Sequence, residues 1–342
     1  MTVGIPRALL YYYYYPMWAT FFKELGADVV VSRETNKGLL DQGVRLAVDE
    51  ACMPVKVFFG HVASLLDSAD RIFVPRLVSV ERRAFICPKF MGLPDMIRAA
   101  MPADGRLIDP CIDLSKNERE FHSEIMRTGS IFTRSRVAIH KAYQKSKVVL
   151  RRFKDLLVAG NMPESAISLS LAGHDGAYEG YTGEFGEVAA ANQDAILSGP
   201  DDTISVGILG HPYLIYDSYA SMSILSRLRD AGCRVITCDM LPDEVVEKEA
   251  QNLPRWLFWT LGRRILGAAF HFLHSRSVDG CLHITAFGCG LDSIVGELIE
   301  REAKRSGDIP LMSITLDEHT GEAGVVTRVE AFMDMLRRRK SA

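Results

Sequence analysis

The hydrophobic and polar positions of the first hundred residues follow two alternating periods. Short runs rich in β-branched residues predict strands, and the longer amphipathic stretches between them predict helices. Gly26 suits the position after a helix C-terminus, and Asn36 suits a helix N-cap. The pattern predicts strands at 3–6, 28–31 and 71–74 and helices at 9–25 and 37–49. This βαβ rhythm indicates a first α/β domain over residues 1–113.

The middle of the chain, residues 114–200, has no comparable strand pattern. It contains a basic run, KAYQKSKVVLRRFKDLL, and then a glycine-rich stretch, AGHDGAYEGYTGEFGE. We interpret the basic run as the solvated face of a helix, because charge runs of this kind usually face water. The sequence therefore predicts a helical connector with a flexible turn.

The βα rhythm returns over residues 201–342 and predicts a second α/β domain. Its predicted strands are 206–209, 234–237, 281–285 and 311–316, and its predicted helices are 218–229, 244–274, 293–304 and 322–339. The two domains begin with similar segments, VGIPRALLYY and VGILGHPYLIY. Such a similarity raises the hypothesis of a distant internal duplication.

Charge and apolar run lengths narrow the classes of partner. Lys and Arg total 40 against 43 for Asp and Glu, a formal net charge of -3. No strong field is available to attract nucleic acid or an anionic membrane, so neither is an expected partner. The longest apolar stretch, 9–22, contains Pro16 and is shorter than the roughly 20 residues that span a bilayer. The N-terminus has no signal-peptide pattern, and we expect a cytoplasmic protein.

The seven cysteines contain no C-x-x-C pair, so any metal site must combine distant segments. Ligands of open parallel sheets collect beyond the carboxyl ends of strands. Cys52, Cys87 and Cys289 lie in predicted turns, and for them core packing and metal ligation are equally open. Core packing is expected for the other four, which are Cys111, Cys233, Cys238 and Cys281.

Three thiolates from two domains would suit a cubane iron–sulfur cluster, whose irons prefer soft ligands. One iron would then lack a protein thiolate. That iron could bind water, hydroxide or a substrate oxygen and act as a Lewis acid.

Several motifs carry a specific resemblance, namely GIPRALLYYYYYPMW, TNKGLLDQGVRLAVDEACMPVKVFFGHV, VPRLVSVERRAFICPKFMGLPD, GHPYLIYD, HITAFGCGLDS and LDEHTGEAGVVTRVEAFMDML. The chain resembles the acyl-CoA dehydratase activase-related family, itself similar to 2-hydroxyacyl-CoA (2-hydroxyglutaryl-CoA) dehydratase subunits. The resemblance implies an α/β fold of two Rossmann-like domains with parallel sheets, joined by the helical connector. It also implies a [4Fe-4S] cluster held by Cys52, Cys87 and Cys289, two in the first half and one in the second.

The resemblance implies a class of chemistry without fixing the reaction. In the dehydratases, one electron from an ATP-hydrolysing activase allows a ketyl-radical elimination of water. A related branch holds a double-cubane cluster and reduces small molecules. We therefore expect an oxygen-sensitive protein acting in low-potential electron transfer or reductive chemistry, as a lyase or a reductase.

The activase is expected to be a separate chain. The sequence has no G-x-x-x-x-G-K-[ST] loop, so no nucleotide site is expected here. Two alternatives remain open. One is a non-catalytic, cluster-bearing accessory or regulatory component of a dehydratase system. The other is an ordinary α/β enzyme whose cysteines only pack.

The segment after the last predicted strand offers an acid and an imidazole. Glu318 and His319 stand where side chains can face the crevice beyond the sheet, so both are candidate catalytic residues. The alternative is structural, with Thr320 or Asp317 capping the last helix and Glu322 favouring its positive end.

Further candidates come from position alone. His211 follows the first strand of the second domain and is a candidate catalytic residue, with a plain turn residue as the alternative. Arg7 could meet an anionic substrate or form a surface ion pair. Glu50 could hydrogen-bond near the iron that lacks a protein thiolate.

The tyrosines at 11–15 surround a predicted helix, so some must be exposed or at an interface. We therefore expect a homodimer through this helix or the connector.

Overall fold

A computed structural model describes residues 1–103, 105–115, 118–172, 203–253 and 255–341. The described residues divide into two compact units. The first unit contains those of 1–154, 163–172 and 258–260. The second contains those of 155–162, 203–257 and 261–341.

The first unit is built on a parallel four-stranded sheet. Its order is β2-β1-β3-β5, and β4 and β6 form a separate parallel pair. In the register, Gly4 lies opposite Val30 on one side and Ile72 on the other. The six strands are β1 (Thr2–Ile5), β2 (Asp28–Val31), β3 (Arg71–Phe73), β4 (Arg76–Ser79), β5 (Leu107–Ile108) and β6 (Cys111–Asp113).

Local signals explain where the helices of this half begin and end. The Asn36 side chain accepts a hydrogen bond of 3.1 Å from the Leu39 amide, as the predicted N-cap should. Gly26 has φ 81°, the left-handed conformation expected after a helix C-terminus. The helices are α1 (Tyr11–Glu24), α2 (Lys37–Leu46), α3 (Met53–Leu65), α4 (Pro88–Met91), α5 (Leu93–Ala100), α6 (Glu118–Gly129), α7 (Arg136–Val158) and α8 (Pro163–Ala172).

Aromatic packing fills the core of the first unit on one face of its sheet. Trp18 and Phe22 of α1 are buried and contact Phe73 of β3, with ring centroids 4.6 Å and 5.2 Å from that of Phe73. Phe21 is buried beside both rings of α1. These large apolar side chains anchor α1 to the sheet, since aromatic residues contribute much of the buried apolar area.

The second unit has a parallel four-stranded sheet of order β10-β9-β7-β8. The central strand β7 is buried at every position, as its apolar sequence SVGIL predicts. The strands are β7 (Ser205–Leu209), β8 (Arg234–Thr237), β9 (Gly280–Ala286) and β10 (Leu311–Leu316). The helices are α9 (Pro212–Ile215), α10 (Ile224–Asp230), a 3₁₀ helix (Cys238–Met240), α11 (Asp243–Ala250), α12 (Thr260–Ser275), α13 (Gly290–Ser306) and α14 (Glu322–Lys340).

The α/β class with parallel sheets is confirmed, and one predicted helix is wrong. The sequence pattern continued helix over residues 244–274, whereas the structure ends α11 at Ala250 and begins α12 at Thr260. The sequence NLPRW lies between them, and proline disfavours helix in the residue before it and removes a backbone donor. The glycine-rich turn predicted in the connector lies, beyond Ala172, outside the described residues.

The tyrosine run is more enclosed than expected. Tyr12 is buried and the other four tyrosines are partly buried, so none is fully exposed. Helix α8 packs against α1, and Lys145 of α7 forms an ion pair of 2.7 Å with Glu24 at its end. The helices that follow β6 therefore cover part of α1, where we expected some tyrosines to be exposed or at an interface. Within the described ranges, no helix combines the length and apolar character needed to cross a bilayer.

Candidate functional site

The strand order of the second unit selects one place for a site. From β7 the chain goes to β8 on one side and then to β9 on the other, so the order reverses between β7 and β9. In open parallel sheets, ligands bind beyond the carboxyl ends of the strands at such a switch point. His211 follows β7 and Cys289 follows β9, so both lie there.

Cys289 is the N-cap of α13 and is partly exposed. Gly288 has φ 76°, which turns the chain sharply between β9 and the helix. The amide of Ser293 donates to the Cys289 carbonyl at 3.1 Å, which starts the helix. Unpaired amides and the helix dipole favour negative charge at a helix N-terminus, so this position suits a thiolate.

A histidine and a carboxylate accompany this cysteine. His211 Nε2 lies 2.8 Å from Asp292 Oδ1, and the two side chains are 3% and 2% exposed. One ligand atom each of His211, Cys289 and Asp292 lies within 4.8 Å of the others. The His211 ring also stacks on Tyr213, with centroids 4.7 Å apart. The imidazole is therefore fixed from two sides.

Neighbouring groups and burial act in opposite directions on the Asp292 carboxylate. Burial opposes ionisation of Asp292, but the charge of His211 and a hydrogen bond with it hold the pKa of Asp292 below its usual value. His283 of β9 is the fourth polar member, and burial lowers its pKa to about 4. Gly296 of α13 makes room for it, since a Cβ there would lie 3.1 Å from His283 Cε1.

Cys52 occupies the same kind of position in the first unit, as the N-cap of α3. His61 of α3 contacts Ser32, directly after β2, with Nδ1 and Oγ 2.7 Å apart. The helix begins about two turns before His61, so its N-terminus extends beyond the carboxyl end of the sheet. Cys52 therefore lies on the side of this sheet where parallel sheets bind ligands.

Cys87 is the N-cap of the short helix α4 and is partly exposed. Two residues earlier, Phe85 pairs through its backbone with the segment 258–260, at 2.7 Å to the Phe258 carbonyl and 3.1 Å from the Thr260 amide. On the other side of Cys87, Lys89 Nζ donates to the Glu50 carbonyl at 2.9 Å. That bond ties the Cys87 segment to the loop before Cys52.

The other four cysteines have a different environment. Cys233, Cys238 and Cys281 are buried, and Cys111 is partly buried in β6. Burial raises the pKa of all four thiols, to about 12 for Cys238, whose thiol donates to the Ile208 carbonyl at 3.3 Å. A thiolate is disfavoured at these positions.

Glu318 and His319 follow β10, an edge strand beside β9. Glu318 is partly buried and His319 is exposed. Asp317 Oδ1 accepts hydrogen bonds from the His319 amide at 2.9 Å and from the Thr320 hydroxyl at 2.8 Å. These bonds close the turn before α14, whose N-cap is Gly321, so neither Asp317 nor Thr320 caps that helix.

The remaining predicted residues have structural contacts. Arg7 forms ion pairs with Glu34 at 3.3 Å and Glu164 at 2.8 Å, so it has the ion-pair arrangement that we gave as its alternative. Glu50 is exposed and contributes its backbone carbonyl to Lys89. Glu322 forms an ion pair with Arg227.

Sequence reasoning missed Asp292, His283 and Lys89. Asp292 stands three residues after Cys289, the spacing that puts two side chains on one helix face, and this signal could have found it. His283 lies in the middle of a strand, and Lys89 acts through a bond to a distant backbone carbonyl. No local pattern marks either of those two residues.

Comparison with known proteins gives one family. The family described as the CoA enzyme activase uncharacterised domain matches residues 2–241, which is more than two thirds of the chain. A search of curated proteins finds none that matches. The matched residues include Cys52, Cys87 and His211. The chain belongs to the CoA enzyme activase uncharacterised domain family, as the activase-related resemblance of its motifs predicts.

Proposed function

We propose that the protein is a [4Fe-4S] protein of the 2-hydroxyacyl-CoA dehydratase and activase system, with Cys52, Cys87 and Cys289 as ligands. One observation carries the proposal. These three cysteines are partly exposed helix N-caps, whereas the other four are in strands, loops or a 3₁₀ helix where burial raises the thiol pKa. Thiolates are the ligands that such clusters require.

The donor set fits the cluster chemically. Three thiolates leave one iron without a protein thiolate, and a bound cluster would supply low-potential electrons and one Lewis-acidic iron. The proposal includes two Rossmann-like domains, 1–113 and 201–342, joined by a helical connector at 114–200. A double-cubane cluster is the alternative cofactor.

The chain's own residues would hold the ligands in place. Asp292 and His211 are buried beside Cys289, and their contact of 2.8 Å restrains both side chains. In the first unit, Lys89 links the Cys87 helix to the Glu50 carbonyl, two residues before Cys52. Hydrogen bonds of this kind orient ligands and tune a metal centre.

His211, Glu318 and His319 remain the proposed acid and base groups. His211 is placed next to Cys289 at the switch point. Glu318 and His319 follow the neighbouring strand β10, and the Asp317 turn fixes the backbone of His319. A carboxylate and two imidazoles can hold and transfer protons near neutral pH.

The proposed partner is an activase that hydrolyses ATP on a separate chain. The family match supports an activase partner, because the description of the family refers to CoA enzyme activases.

We also propose that the protein acts as a homodimer in an oxygen-poor cytoplasm. Light scattering at micromolar concentration would test the dimer, and a monodisperse monomer would contradict it.

Cysteine variants test the ligand set. Alanine at Cys52, Cys87 or Cys289 should abolish the broad visible absorption of the cluster in protein reconstituted without oxygen. Cys111→Ala and Cys233→Ala are the matched controls and should retain it. Equal loss in all five variants would contradict the assignment, and circular dichroism of each variant would show that it is folded.

A further inference from the structure

The group around Cys289 has dimensions that suit a single ion. One ligand atom each of His211, Cys289 and Asp292 lies within 4.8 Å of the others, and all three residues belong to the second unit. Ligands of one tetrahedral zinc ion lie about 3.3–3.8 Å apart, given metal bonds of about 2.0–2.3 Å. Cysteines that hold different irons of a cubane lie farther apart, because the metal core separates them.

Burial leaves polar atoms in this group without partners. Among the described residues, neither His211 Nδ1 nor His283 Nε2 has a hydrogen-bond partner, although both are buried. His211 is 3% exposed and His283 is 1% exposed. Such atoms are costly inside a protein unless a ligand, a water or an ion completes them.

The types of donor indicate which ion the group would prefer. A thiolate, an imidazole and a carboxylate together favour zinc and similar divalent transition metals. Magnesium and calcium prefer sets made only of oxygen, so they fit less well. The buried carboxylate of Asp292 would also gain a cationic partner.

We propose that Cys289, His211 and Asp292 bind a single divalent ion of the zinc class when the chain carries no iron–sulfur cluster. Three protein ligands leave a fourth position for water, the arrangement of reactive zinc sites. The inference goes beyond the proposed function, although Cys289, His211 and Asp292 have a part in both.

Cobalt binding to the full, cluster-free chain tests the inference. Titration of Co²⁺ should give visible ligand-field bands of tetrahedral intensity and a thiolate-to-cobalt band in the near ultraviolet, saturating at one ion per chain. Excess Zn²⁺ should displace both. Cys289→Ser should remove the thiolate band, and Asp292→Asn and His211→Gln should each weaken binding at least about tenfold.

Two matched control variants show whether cobalt binding depends on the proposed ligands. Cys111→Ser and His140→Ala remove a thiol and an exposed imidazole elsewhere and should leave the titration unchanged. Absence of the thiolate band in the parent chain, or its survival in Cys289→Ser, would overturn the inference. Variants that fail to fold, as judged by circular dichroism, are replaced by direct competition, in which cysteine alkylation of the parent chain should be slowed by Zn²⁺ at Cys289 alone.

The same titration distinguishes this inference from the proposed function. If a cluster forms but the cluster-free chain binds no Co²⁺, the ion site is wrong and the proposed function stands. If cluster-loaded protein still gives the full cobalt spectrum, Cys289 is not a cluster ligand and the ion site stands.

Discussion

At the scale of single residues, the environment of each cysteine separates two groups that look alike in sequence. Cys289 and Cys281 are eight residues apart, yet one is a partly exposed N-cap and the other is buried in β9. The turn positions of Cys52, Cys87 and Cys289 were predictable, because proline and glycine mark the adjoining turns. The contact between His211 and Asp292 was not predictable, because it joins segments that only the sheet brings together.

His61 gives a pH prediction at this scale. It is fully buried, its ring nitrogens lie 2.7 Å from Ser32 Oγ and 2.9 Å from Thr35 Oγ1, and burial, with the charges of Arg7 and Arg33, lowers its pKa to about 3. The folded state therefore keeps this histidine neutral, whereas the unfolded chain takes up a proton below about pH 6.5. Stability should fall as the pH drops from about 6.5 toward 3.

From pH 7 to pH 5, the free energy of unfolding should fall by about 2 kcal/mol because of His61. Urea unfolding at the two pH values measures it, as the difference in pH dependence between the parent chain and His61→Gln. His140→Gln, which removes an exposed imidazole of α7, is the control and should keep the parent's pH dependence. An unchanged pH dependence in His61→Gln would refute the explanation.

At the scale of elements, the close packing of α2 and α3 fixes the position of Cys52. The helices approach at two glycines, where a Cβ on Gly43 would lie 1.8 Å from the Lys56 carbonyl and one on Gly60 would lie 2.1 Å from the Leu39 carbonyl. Both obstacles are backbone atoms, so neither can move aside easily. The sequence pattern predicted both helices but did not show that glycines bring them together.

Gly60→Ala should therefore separate the two helices and lower the free energy of unfolding by about 2 kcal/mol or more. If the cluster uses Cys52, the variant should also reduce cluster content. Gly324→Ala is the matched control, because nothing lies within 4 Å of the added Cβ in α14 and alanine is the better helix former. Thermal unfolding of both variants compares them, and equal stability would contradict the packing argument.

His274 links three helices of the second unit through charge. Its Nδ1 lies 2.9 Å from Glu249 of α11 and its Nε2 lies 2.9 Å from Glu302 of α13. Arg305 also pairs with Glu302, and His271 lies on α12 together with His274. Burial opposes its protonation, but the hydrogen bonds with Glu302 and Glu249 outweigh it and raise the pKa of His274.

A raised pKa in the folded state gives stability that is complete below about pH 6.5 and is lost as the pH rises through the folded value. His274→Gln should therefore cost more stability at pH 5.5 than at pH 8.5. The difference should stay below about 1 kcal/mol, because the imidazole is one-third exposed and water screens the pairs. Urea unfolding at both pH values measures it, and a larger cost at pH 8.5 would reverse the assigned sign.

At the scale of the whole molecule, the two four-stranded sheets have the same strand order. In each, the second strand lies on one side of the first, and the third and last lie on the other. This agreement is in accord with the internal duplication suggested by the segments VGIPRALLYY and VGILGHPYLIY. The βα rhythm predicted all four strands of the second sheet and three of the first, because apolar runs bounded by turns carry that signal.

Other parts of the fold had no such signal. Strands β4, β5 and β6 have the sequences RLVS, LI and CID, which contain neither an alternation of apolar and polar residues nor a run of more than two apolar residues. The helical prediction over 244–274 was wrong between α11 and α12, because the sequence on both sides of NLPRW is amphipathic and conceals the interruption. Neither the close α2–α3 approach nor the contact between His211 and Asp292 has a local pattern.

Iron and acid-labile sulfide per chain, measured with a visible spectrum on protein purified without oxygen, decide whether the three cysteines hold a cluster. We expect about four of each per chain, as a single cubane requires. Folded protein with neither iron nor sulfide after anaerobic reconstitution would contradict it and would leave Cys52, Cys87 and Cys289 without the proposed role.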